Sequence, residues 1–128
     1  ALLDTLFRQL NDTGGLPDKA GRIPLILWEL KLFFEFHEWV EHLWAESTGE
    51  EKKALQALVL AAVACEHLTY NRIRPACSLA GKALSLLYDH GTSLPGWADP
   101  DLFIKFLNRL KKDPAGTHLF IQTKRSSS

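Results

Sequence analysis

The sequence predicts an all-α fold, an antiparallel bundle of about four main helices with a short further helix at the N-terminus. Three observations lead there. Apolar residues recur at helical spacing through most of the chain. Recognisable start and stop residues divide those stretches. No run alternates apolar and polar residues for long enough to make a strand.

Leu2, Leu3, Leu6, Phe7 and Leu10 give the short amphipathic helix, and Asn11–Gly15 stops it. Residues 16–23 read as a loop. Pro24 suits the first turn of the next helix, where its missing N–H does no harm, and that helix is expected from Pro24 to Glu46. Thr48-Gly49-Glu50-Glu51 has the form of a capping box, with Thr48 as the cap and Glu51 reaching back. The helix it opens runs to about Tyr70. From Ala54 to Cys65 only Gln56 is polar, so this helix is expected to be central and covered on most sides. Asn71–Arg74 is a turn. Pro75 opens a helix with Ala76, Leu79, Ala80, Ala83, Leu84 and Leu87 inside, and Gly91 is expected as its left-handed cap. Asp99-Pro100 starts the last main helix, which Pro114 ends. The expected core bundle spans about residues 24–112 of a single domain, with 117–128 as a frayed tail.

Composition narrows the function classes. Lysine plus arginine and aspartate plus glutamate balance at 15 each, so no net charge draws the chain to nucleic acid or an anionic membrane. The longest apolar run, Ala57 to Cys65, is too short to span a bilayer. Cys65 and Cys77 fall in apolar helical stretches, and no segment reads as a signal peptide; both point to a reducing, cytoplasmic setting. The chain contains no methionine.

The chemistry concentrates on one stripe. On the expected Pro24–Glu46 helix, Lys31, Glu35, Glu38 and His42 share one solvated arc of roughly 60°. His37 and Glu41 instead fall in the apolar sector, with Trp44 one turn beyond. A carboxylate in such a sector needs a partner, and His37 supplies one. The pair can share a proton, ligate a divalent metal, or serve only to fix packing. As catalytic candidates, Glu41 would be the base and His37 the acid. The short connection at 45–48 predicts an αα-hairpin. Mirroring about residue 47 sets His37 level with residue 57, which makes Gln56 the expected cross-helix contact and Trp44 a wall. His67 shares the face of Gln56 but lies roughly 16 Å further along the axis, so it would join as a metal ligand only if the helices cross steeply.

His37-xxx-Glu41-xx-Trp44 resembles the HxxxExxW signature of the domain of unknown function 309 family, small helical proteins of bacteria and archaea. The similarity continues through Thr48–Glu51, Leu55-Gln56 and the apolar helix to His67 and Asn71-Arg72, about residues 28–88 in all. The resemblance implies a helical fold and a role for the motif, with metal binding as a suggestion and no established activity. The chain departs from the pattern at Ala57 and Tyr70, where glycine is frequent, and at Phe33, where an aromatic hydroxyl is common.

Other chemistries fit poorly. A zinc protease needs HExxH, but His42 follows His37 at i+5, on another face. A di-iron bundle needs Glu-x-x-His on two helices, and no such pair occurs. Neither cysteine has an activating partner nearby in sequence, and there is no GxSxG elbow. Two functional expectations remain. One is a small-ligand or metal site at His37, Glu41, Trp44 and Gln56, with His67 as an outlying ligand. The other is a non-enzymatic interaction or structural module, open to homo-oligomer formation, in which His37–Glu41 is a structural pair.

Overall fold

A computed structural model describes residues 17–126, with side chains placed for 23–121. The expected helix around Leu2–Leu10 lies outside the described residues. Within them the chain forms α1 (Pro17–Glu29), α2 (Phe33–Glu46), α3 (Gly49–Thr69), α4 (Ile73–His90), a single 3₁₀ turn at Gly91–Ser93, α5 (Pro100–Lys112) and α6 (Pro114–Ser126). The all-α class is as expected. No helix among the described residues is long and apolar enough to cross a membrane.

The expected helix from Pro24 to Glu46 is two helices. Lys31 stands at φ 62, in the left-handed region. The Leu32 N–H bonds the Leu27 carbonyl and the Lys31 N–H bonds that of Trp28, at 2.9 and 3.0 Å. These two bonds make a Schellman ending for α1. The same construction ends α3: Asn71 stands at φ 59, and the N–H groups of Arg72 and Asn71 bond the carbonyls of His67 and Leu68. Asparagine announces the second turn in the sequence. Leu-Lys-Leu contains none of the residues that favour this geometry, so the first turn could not be read. The break removes Lys31 from the solvated arc: it is 8% exposed. Residues 17–23 of the expected loop are instead part of α1, with Pro24 inside the helix and buried; residue 16 lies outside the described residues.

Two caps and the C-terminal segment differ from expectation. Thr48 makes no side-chain cap bond; Ser47 Oγ donates to Glu51 instead, at 3.1 Å. Gly91 is right-handed (φ −57) and continues into the 3₁₀ turn. Its glycine is explained by space, because a Cβ there would meet Pro100 Cβ at 3.1 Å. Residues 114–126, expected in part as a frayed tail, form α6, and its Thr117 and Ile121 are buried. Asp99 caps α5 as expected, accepting the Asp101 N–H at 2.9 Å.

α3 is the central helix, packed by α2, α4, α5 and α6. Half of its buried side chains are alanine, and Ala76, Ala80 and Ala83 are buried on α4. Small residues let these helices approach closely and leave bulky packing to the ends. There Trp28 of α1 meets Phe33 and Phe36 of α2 and Phe103 and Phe106 of α5, with ring centroids 4.9–5.3 Å apart. Phe36 is fully buried in this cluster. Phe36→Ala should cost about 3–5 kcal/mol, measured by urea unfolding. Asn71→Ala should cost about 1 kcal/mol, while Asn71→Gly should be near neutral because glycine accepts the left-handed turn.

Candidate functional site

His37 is the third residue after Phe34 on α2, one turn past the Lys31 break, and it points along the α2/α3 seam. Its Nε2 lies 2.6 Å from Glu41 Oε1, the expected partner on its own helix. Its Nδ1 lies 3.1 Å from Glu66 Oε2, on α3. The cross-helix partner is therefore Glu66 and not Gln56. Phe34 stands edge-on to the imidazole, centroids 6.4 Å apart, and is itself exposed.

The error is one of register. Glu66 lies nine residues beyond the level inferred for His37, about 13 Å of helix. Two features account for it. Side chains on a helix lean toward its N-terminus, so in this antiparallel pair His37 leans away from the hairpin and Glu66 leans toward it. Ser47 and Thr48 are both extended (ψ 163 and 164), so the helices do not fold back flush about residue 47. The lean follows from helix geometry and favours a partner beyond Gln56; the extended connection does not follow from the identities of Ser47 and Thr48.

The remaining expected site residues lie apart from this row. Trp44 and Gln56 share a shallow depression with Lys52, Lys53 and Leu86, and Lys52 Nζ sits 4.2 Å above the Trp44 ring. His67 lies in the last turn of α3; its carbonyl serves the Schellman ending, and its Nδ1 is buried without a hydrogen-bond partner. His42 is exposed, as expected.

Both imidazole nitrogens face carboxylate oxygens, and only the imidazolium form can donate from both. The hydrogen bond to Glu66 raises the His37 pKa above its ordinary value, against the opposing effect of burial, and the bond to Glu41 adds to the rise. Exposure grades the two partners. The His37 and Glu66 side chains are 21% and 24% exposed, whereas that of Glu41 is 54% exposed. The stronger link is thus the one between helices.

The three groups form a row with the ring in the middle, so the carboxylates lie on opposite sides of it instead of converging on one point. Among the described residues no three His, Cys, Asp or Glu side chains are grouped as a metal site requires. Cys65 offers no nucleophile either. Cys65 is fully buried, and burial pushes its thiol far up despite the nearby Lys31 charge. A second histidine–carboxylate pair, His90 Nδ1 and Glu50 Oε2 at 2.5 Å, ties the end of α4 to the start of α3. That bond holds the Glu50 carboxyl below its usual value.

No curated protein and no solved structure matches the chain. Residues 25–79 match the family model described as domain of unknown function (DUF309). The matched segment runs from within α1 into α4 and contains the whole Glu66–His37–Glu41 row. The match covers less than half of the chain and agrees with the resemblance that the HxxxExxW motif carries.

Proposed function

We propose that the chain is a non-enzymatic helical module in which the HxxxExxW motif serves the fold. His37 acts as a proton-holding lock between α2 and α3. One observation carries this reading: both ring nitrogens are engaged by carboxylates on opposite sides, one of them on the neighbouring helix. A ring held this way keeps its proton and leaves no lone pair for a metal or for general-base chemistry. The seam it spans sets the alanine- and leucine-rich face of α3 against Phe33, Phe36, Trp39 and Val40 of α2. A polar bridge at one level adds specificity to that packing. The free cysteines are consistent with a reducing, cytoplasmic setting.

The competing reading is a divalent metal at His37, Glu41 and His67, and the orphaned His67 Nδ1 is the observation in its favour. Calorimetric titration with zinc and with manganese separates the two. The lock predicts no stoichiometric binding that depends on His37. Binding at one equivalent, lost in His37→Gln, would sink it.

The lock also predicts a pH dependence of defined sign. A folded-state pKa above the ordinary 6.5 gives stability that is fully present below 6.5 and is lost as pH rises through the folded value. Unfolding midpoints of the wild type should therefore converge on those of His37→Gln as the pH is raised from 6 toward 9. Glu66→Gln should cost about 1 kcal/mol at pH 6. Glu41→Gln should cost less, because its partner bond is exposed to water.

A further inference from the structure

α1, α5, α6 and the loop before α5 surround a cavity of about 480 Å³. Trp28, Trp97, Phe103, Phe106 and Phe120 wall it, and both the volume and the aromatic lining are those of a small-molecule pocket. What sets it apart from a packing defect is a pair of opposite charges. Glu29 and Arg109 line the cavity with exposed side chains, and among the described residues neither makes a side-chain hydrogen bond or an ion pair. Their places on two helices bring them to one level. Trp28 and Phe106 are in contact, with ring centroids 5.3 Å apart. Glu29 directly follows Trp28 on α1, and Arg109 lies one turn beyond Phe106 on α5. An unpaired anion and an unpaired cation therefore flank one aromatic contact. The other charged lining groups do not serve. Asp99 lies about 15 Å from Arg109 along the axis of α5, and its carboxylate caps that helix. Lys31 is already engaged and also lines the depression beside Glu66.

We propose that this cavity binds a free aromatic α-amino acid. The ring enters between the aromatic walls, the carboxylate meets the Arg109 guanidinium, and the ammonium meets the Glu29 carboxylate. Such a molecule carries both charges on one carbon, joined to a flat apolar ring, and the cavity presents the complement of each part. Arg109 can take the carboxylate through two parallel N–H bonds, and the rings supply the contact area. The inference goes beyond the His37 lock and does not rest on it, since neither Glu29 nor Arg109 lines the depression beside Glu66.

Isothermal titration calorimetry on the full chain tests it with L-tryptophan, with tryptamine, which lacks the carboxylate, and with indole-3-propionate, which lacks the ammonium. Tryptophan should bind tightest, and each analogue about ten-fold more weakly. In Arg109→Gln, tryptophan should fall to the affinity of tryptamine while tryptamine itself is unchanged. In Glu29→Gln, tryptophan should fall to the affinity of indole-3-propionate while that anion is unchanged. The unchanged analogue in each variant shows that the cavity is still formed, so the loss reports the missing charge. Three results would overturn the proposal: no tryptophan binding in the wild type, equal affinity for the three ligands, or tryptophan affinity unaffected by either substitution.

Discussion

The left-handed turn at Lys31 is the constraint from which most of this arrangement follows. Without it, residues 24–46 would make one helix, and Trp28 would lie two turns away from Phe36 on the same rod. With it, α1 turns back and Trp28 enters the ring cluster that joins α1, α2 and α5. The same turn swings Lys31 from the solvated arc into the aromatic cavity. It also restarts the helix at Phe33, four residues before His37. The energy for holding a lysine at positive φ, about 1–2 kcal/mol, is small against the burial of a tryptophan and several phenylalanines.

The α2/α3 seam shows how an ion row can add register to apolar packing. The alanines of α3 let α2 approach, and Phe36, Trp39 and Val40 pack on them from α2. His37, Glu66 and Glu41 meet at a single position. Displacing the seam by one turn would leave a part-buried imidazolium and a part-buried carboxylate without each other. The motif is thus explained by geometry without any reaction. The Glu50–His90 pair makes an equivalent tie near the other end of α3, between its first turn and the last turn of α4.

Much of this was legible in the residues, and the failures have physical causes. Helical periodicity, Pro100 after Asp99, and Asn71 in its turn all carry local information, and the elements they predict are present. The pairing of His37 with Glu41 follows from i,i+4 spacing alone. The break at Lys31 was hidden because nothing in Leu-Lys-Leu disfavours a helix; tertiary burial of Trp28 and Lys31 overrides the local preference. Glu66 was missed because hairpin register depends on the backbone of two connecting residues, Ser47 and Thr48, whose extended conformation their identities do not dictate. The solvated arc assigned to Lys31, Glu35, Glu38 and His42 failed at Lys31, and at Glu35, whose Oε2 is buried, because a helical wheel holds only while the helix is continuous.

The most direct test is a nuclear Overhauser measurement between the Trp28 indole and the Phe36 ring. The left-handed turn places these rings 5.1 Å apart by centroid, so strong cross-peaks between them are expected. On one uninterrupted helix, residues eight apart are separated by about 12 Å, beyond the reach of the effect. Absence of those cross-peaks, together with helical connectivities running unbroken from Trp28 to Phe36, would contradict the turn and everything derived from it.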